Sequence, residues 1–270
     1  MTSKTLLLSE DGRRLSYREA GHGAPLVLIH GVGMQSAAWA PQLRALSDSY
    51  RVLALDMPGH GGSSPLPAEA DLPAFVAWLD EALSALALGP VSLAGHSMGA
   101  LVSGGYAVTH PDRVARVALL NGVFRRAPAA RAAVEARATE IRCGTIDIAA
   151  PLARWFGDDR DHEAARRAVA GWLGEVSHTG YATAYGAFSR GDDVYADRLG
   201  AFRGPLLALT GDLDPNSTPE MARAMAGAAP HGRAVIIEGH RHMVNLTDPD
   251  RVNRELRAWL ELPLDAESVP

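Results

Sequence analysis

Short, nearly unbroken apolar runs recur along the chain, at 25–29, 51–55, 91–94, 114–121, 205–209 and 233–238. Runs of this length without polar alternation predict strands buried on both faces of a sheet. Residues 5–9 and 13–19 predict two further strands, an antiparallel hairpin about the turn Glu10-Asp11-Gly12. Between the runs the period becomes helical. Leu72, Phe75, Val76, Leu79, Leu83 and Leu86 share one helix face over 71–88. Trp39, Leu43 and Leu46 mark another helix, and more are predicted over 98–109, 219–226 and 249–260. Strands alternating with helices predict an α/β fold with a mostly parallel sheet and helices on both faces. The rhythm breaks over 124–200, which contains helical segments at 129–142, 147–156, 162–176 and 180–190, rich in Arg and Ala. This block predicts a helical cap over the carboxyl ends of the strands, where ligands bind. The expected division is a core of 1–123 and 201–270 with a cap of 124–200.

The run 91–94 leads directly into Gly95-His96-Ser97-Met98-Gly99, and a helical pattern starts at once with Met98, Leu101 and Val102. Strand, tight turn and helix with a serine at the apex is the context that gives G-x-S-x-G its meaning. The turn holds the serine in a strained backbone conformation, at a cost on the order of 1–3 kcal/mol. It also lifts the hydroxyl above the sheet. The first N–H groups of the following helix point at the same region with their partial positive charge. Ser97 is therefore the expected nucleophile.

Composition narrows the classes. The chain has 270 residues, 47% of them hydrophobic and 21% charged, as in a soluble globular protein with an ample core. A net charge of −5 gives no electrostatic footprint for nucleic acid or an anionic membrane. The single cysteine, Cys143, cannot form an internal disulfide; it is expected to be structural and to fit a reducing compartment, the cytoplasm. The apolar stretch 6–8 is too short for a signal peptide, and no run approaches a membrane span. The histidines show no metal-ligand spacing, so no metal and no cofactor is expected.

With these motifs the chain resembles the α/β-hydrolases over nearly its whole length. His30-Gly31 after the third strand and Asp56-x-Pro-Gly-His-Gly-x-Ser63 after the fourth are further family marks. The resemblance implies the order serine, acid, histidine. Its G-x-x-D pattern, in Gly211-Asp212-Leu213-Asp214, puts the acid at Asp214, with Asp212 as the competitor nearer the strand end. Two histidines compete as base, His240 after Gly239 and His242. The family spacing of seven residues before the proline of the last helix, Pro249, favours His242. The oxyanion donors are expected at Met98 N–H, directly after the serine, and, as the resemblance implies, at Val32 N–H. The expected pocket draws on His30, Gly31 and the apolar Trp155, Phe188 and Met243, for which ordinary core packing is the alternative. His30 is expected to order the oxyanion loop rather than move protons, and His96 to pack beside the serine. Asp56 and Ser63 are expected to fix their glycine-rich turn.

Serine rather than aspartate at the elbow disfavours epoxide opening and dehalogenation. The implied chemistry is acyl transfer to water from a small ester, thioester or lactone. Enol-lactonases acting on 3-oxoadipate and short-chain carboxylesterases are the family members most resembled. Carbon–carbon bond hydrolases and cofactor-free perhydrolases keep the same triad and stay as alternatives, as does a noncatalytic ligand-binding member. The expected partner is a small-molecule substrate, with a homodimer left open.

Overall fold

The strand that carries the serine lies in the middle of the sheet. The computed structural model describes residues 2–8, 12–144, 147–157 and 161–264. Its strands are β1 (Ser3–Leu7), β2 (Arg14–Ala20), β3 (Pro25–Ile29), β4 (Arg51–Leu55), β5 (Val91–His96), β6 (Val114–Leu120), β7 (Leu206–Gly211) and β8 (Gly232–Ile237). They form one sheet in the order β1-β2-β4-β3-β5-β6-β7-β8. β2 runs antiparallel to β1 and β4; from β4 to β8 all neighbours are parallel. Each expected strand is present, although Ser9 and the hairpin residues Glu10 and Asp11 lie outside the described residues.

The unbroken apolar runs have a direct cause. Val27 and Ile29 of β3 join the apolar cluster on one face of the sheet, while Leu26 and Leu28 join the cluster on the other. Adjacent residues in a strand point to opposite faces, so a strand covered on both sides needs an apolar residue at every position. One face is covered by α2 (Leu72–Ala85) and α3 (Met98–Thr109), through Phe75, Leu79 and Tyr106 among others. The other is covered by α1 (Ala40–Leu46) and the last helix, Pro249–Leu260, through Leu43, Leu256 and Trp259.

Between β6 and β7 the chain forms α4 (Pro128–Cys143), α5 (Ala149–Phe156), α6 (Glu163–Glu175) and α7 (His178–Ser189), with no strand among the described residues. Ile141, Leu152, Phe156, Leu173 and Tyr181 from these helices belong to the same apolar cluster as α2 and α3. The insert therefore shares its core with one face of the sheet. Its docking is fixed at α7. Gly180 lies so close to Gly59, in the loop after β4, that a Cβ on Gly180 would overlap the Gly59 backbone. Ser177 caps α7 by accepting from Gly180 N–H at 3.0 Å. Cys143, expected to be structural, is instead exposed at the end of α4. After β7 come α8 (Pro219–Ala228), β8, the single turn α9 (Val244–Thr247) and α10 (Pro249–Leu260). Among the described residues no helix is long and apolar enough to cross a membrane.

Candidate active site

Ser97 sits between β5 and α3 with φ 55° and ψ −114°, a left-handed conformation unusual for a residue with a side chain. Three close approaches hold it there. Its N–H donates to Leu120 O of β6 at 2.9 Å. A Cβ on Gly95 would overlap the Gly99 carbonyl, and a Cβ on Gly99 would overlap the carbonyl of Ile29. The two glycines of the motif are thus required by the closeness of β3, β5 and the first turn of α3.

The loops after β7 and β8 bring an acid and a base together. Asp214 Oδ2 lies 2.7 Å from His242 Nδ1, and both side chains are almost wholly buried. The same Oδ2 accepts from Asn121 Nδ2 at 2.8 Å, and Oδ1 accepts from Asn216 N–H at 2.8 Å. Burial opposes ionisation of this carboxyl. The adjacent imidazole and the hydrogen bonds from His242, Asn121 and Asn216 outweigh it and hold the group below the usual carboxylate range. A carboxylate on Nδ1 fixes the proton there and leaves Nε2 as the acceptor. His242 and Ser97 line one cavity. No hydrogen bond joins Ser97 Oγ to His242 in this arrangement; such bonds are often long at rest and tighten with substrate bound.

The competitors lie elsewhere. Asp212 is exposed and accepts from Gly239 N–H at 2.7 Å, joining the loops after β7 and β8. His240 turns away, with Nδ1 2.9 Å from Thr247 Oγ1 and Nε2 3.8 Å from Asp248 Oδ2. His96, next to the serine, is buried. It donates from Nε2 to the His242 carbonyl at 2.7 Å, which ties the loop after β8 to the end of β5. Burial, and the neighbouring His242, push its pKa down to about 3, so it is neutral.

The segment after β3 passes over the serine. A Cβ on Gly31 would stand 3.0 Å from Ser97 Cβ, so glycine lets this loop approach the hydroxyl. Gly31, Val32, Ser97 and Met243 all line the cavity. Among the described residues the N–H groups of Val32 and Met98 donate to no other backbone group. His30, expected on the pocket wall, is not there. It is buried beneath the loop, where Nδ1 donates to Gly31 O at 2.8 Å and Nε2 accepts from Met57 N–H at 2.9 Å. His60 completes the support: its Nε2 accepts from Gly33 N–H at 3.0 Å and its Nδ1 donates to Pro58 O at 2.9 Å. Asp56 adds a bond from Ser36 N–H at 2.6 Å, and Ser63 Oγ donates to Asp56 O at 2.7 Å. The glycine-rich turn thus buttresses the loop that passes over Ser97.

The insert supplies the rest of the wall. The Trp155 ring stacks near His242, with centroids 5.6 Å apart and planes at 26°. Phe188, Tyr181 and Tyr185 add aromatic surface. Sequence reasoning missed three cationic members, Arg126, Arg137 and Arg154. Arg126 follows β6 and is buried against Asp192, with Nη1 3.1 Å from Oδ1 and the guanidinium 4.4 Å from the Phe188 ring centroid. Arg137 and Arg154 come from α4 and α5. The density of arginine in 124–200 was the available signal, but it did not say which of them face inward.

Residues 26–255 match the alpha/beta hydrolase family. The chain belongs to the alpha/beta hydrolase family. It is a hydrolase with that family's eight-stranded, mostly parallel sheet. It is 54% identical over 261 residues to an (E)-2-((N-methylformamido)methylene)succinate hydrolase of Acinetobacter baylyi, covering 97% of this chain and 99% of the relative. Among solved structures it resembles an esterase from Thermogutta terrifontis, with TM-score 0.86, 26% identity, and 96% and 98% of the two chains covered. It also resembles the enol-lactonase of Burkholderia xenovorans LB400, with TM-score 0.84, 26% identity, and 93% and 98% covered.

Proposed function

We propose that this chain hydrolyses the acyl bond of a small, carboxylate-bearing amide, a formamide on a succinate-derived enamine of the kind named for the Acinetobacter relative. The observation that carries the reading is 54% identity along nearly the full length of both chains. The placement of Ser97 and His242 on one cavity, with Asp214 bonded to His242 behind it, supports the mechanism.

In this mechanism Ser97 Oγ attacks the acyl carbon while His242 Nε2 takes the hydroxyl proton. Asp214 holds the imidazole in the required tautomer and stabilises the imidazolium. The N–H groups of Val32 and Met98 receive the oxyanion; one such donor is typically worth about 3–4 kcal/mol of barrier. Collapse of the intermediate breaks the C–N bond, and His242 returns its proton to the departing nitrogen. In an enamine the nitrogen lone pair is conjugated through the C=C bond to a carboxylate, so this nitrogen leaves more easily than that of a simple amide. Water, with His242 again as base, attacks the acyl-serine and releases the acid, formate for a formyl group. Helices α4–α7 act as the cap that shapes the acid-binding part of the pocket.

A second reading is hydrolysis of an ester or enol lactone, in which oxygen replaces nitrogen as leaving atom. The likeness to the enol-lactonase and the esterase supports it. The test is a panel comprising (E)-2-((N-methylformamido)methylene)succinate, an enol lactone and p-nitrophenyl esters, run on the wild-type protein and Ser97→Ala. The proposal expects the formamide to have the highest kcat/KM, with release of formate that Ser97→Ala abolishes. Preference for the lactone or the esters would replace it with the second reading.

A further inference from the structure

The charges on the cavity wall are unbalanced. Arg137 and Arg154 both line the cavity above Ser97 and also an adjoining cavity, so they stand at the partition between the two. Neither forms a hydrogen bond or an ion pair among the described residues, and the Arg154 Nε is buried with no partner. Two carboxylates, Glu140 and Asp147, line the adjoining cavity with them, but neither forms an ion pair with either arginine among the described residues; Asp147 Oδ1 accepts from the N–H groups of Ala149 and Ala150, and its charge offsets less at Arg154 than Arg137 opposes. Each guanidinium opposes the other. Burial, and next the charge of Arg137, lower the pKa of Arg154. Two like charges beside each other and partly removed from water are costly unless an anion joins them.

Arg126 is differently placed. Asp192 compensates its charge, and Arg131 shares the same carboxylate at 3.0 Å. Even so, the Arg126 Nη2 is buried with no partner. A guanidinium with one edge satisfied and the other free presents a donor to a ligand without bringing a net charge of its own. The wall above Ser97 therefore carries two guanidinium groups that form no ion pair among the described residues, plus one further buried donor on a different element. A planar fork of N–H donors fits a carboxylate in bidentate fashion.

We propose that Arg137 and Arg154, with Arg126 on another side of the same cavity, form a dicarboxylate-binding subsite that holds a doubly charged substrate with its acyl group over Ser97. The inference rests on the hydrolase reading above for the position of the acyl group. The cation pair at the partition attracts the dianion and sets which carboxylates are accepted. Arg126 reads a carboxylate oxygen through its free edge, and Asp192 and Phe188 fix the direction of that edge. Neutral esters of the same size lack the partner these groups require and bind weakly.

Inhibition of p-nitrophenyl acetate hydrolysis by succinate, monomethyl succinate and dimethyl succinate tests the subsite without requiring the native substrate. The expected order is succinate, then the monoester, then the diester, with added salt weakening succinate most. Arg154→Gln and Arg137→Gln should each raise the succinate inhibition constant about tenfold or more while moving that of the diester far less. Arg142→Gln serves as control, because it removes an exposed arginine of α4 that pairs with Glu69 outside this cavity. Arg126→Gln leaves Asp192 without its main partner and risks the fold, so Arg126→Lys is the informative change; it should weaken succinate by loss of the fork. Equal inhibition by succinate and its diester, or an unchanged succinate constant in both glutamine variants, would overturn the subsite. Strong succinate inhibition lost in Arg154→Gln, in an enzyme that leaves the formamide untouched, would support the subsite and refute the formamide reading alone.

Discussion

His242 and His240 are separated by one residue and have opposite surroundings. One faces a buried carboxylate at 2.7 Å; the other faces Thr247 and Asp248. If His242 is the base, His242→Ala falls to the Ser97→Ala background, because members of such a triad act as a unit. In a well-studied serine protease the loss is on the order of 10⁶ in kcat, and a slower enzyme loses less. His240→Ala keeps most activity. Steady-state kinetics on folded variants decides it, and a dead His240→Ala beside an active His242→Ala would reverse the assignment. The same logic separates the acids: Asp214→Asn abolishes activity, whereas Asp212→Asn weakens only the junction with Gly239. The meeting of His242 with Asp214, and of His242 with Ser97 on one cavity, was legible in sequence because each of the three sits at a fixed distance from a glycine or proline that shapes its own turn. Asn121 was not legible. It ends β6 in a left-handed conformation, φ 47°, and reaches Asp214 across ninety-odd positions of sequence, a contact no local pattern records. The arginines of the cavity failed for a related reason: charges on a helix ordinarily mark its solvated face, and only tertiary packing turns Arg137 and Arg154 toward the serine.

At the level of elements, strand, turn and helix around Ser97 are dictated locally, and their bounds followed from the apolar run and the two glycines. The insert was legible as helices from its period but not as a docked unit, because its contact with the core joins Gly180 to Gly59, far apart in sequence. That contact predicts a specific weakness. Gly180→Val pushes α7 away from the loop that carries His60, at a cost of about 1–3 kcal/mol typical of overpacking. Thermal melting should show a drop of several degrees, and kcat should fall with it, since the same loop holds Gly33 through His60. A wild-type melting temperature in this variant would mean that α7 is not anchored there. Trp155→Ala acts on the part of the insert that faces the cavity. Losing the ring stacked near His242 should raise KM for a bulky substrate more than for p-nitrophenyl acetate, and an equal loss on both would give Trp155 a folding role instead.

For the whole molecule, the support of the site has a pH signature. His60 and His96 are buried and neutral, each with its pKa pushed down to about 3 first by burial and then by a neighbouring histidine. Below the ordinary value of 6.5 the unfolded chain takes up protons that these folded residues exclude. Stability is therefore full above that value and falls as pH drops from 6.5 toward 3, by about 1.4 kcal/mol per unit for each residue. Melting temperatures should be flat near pH 7.5 and decline steadily from pH 6.5 to 5; a flat profile throughout would contradict neutral burial of the pair. The account as a whole turns on one atom, Ser97 Oγ. Incubation of the wild-type protein with a small fluorophosphonate, followed by peptide mass spectrometry, measures it directly. A single adduct on the peptide containing Ser97, absent in Ser97→Ala and slowed by succinate, is the predicted result. An adduct on another residue, with hydrolysis surviving in Ser97→Ala, would contradict it.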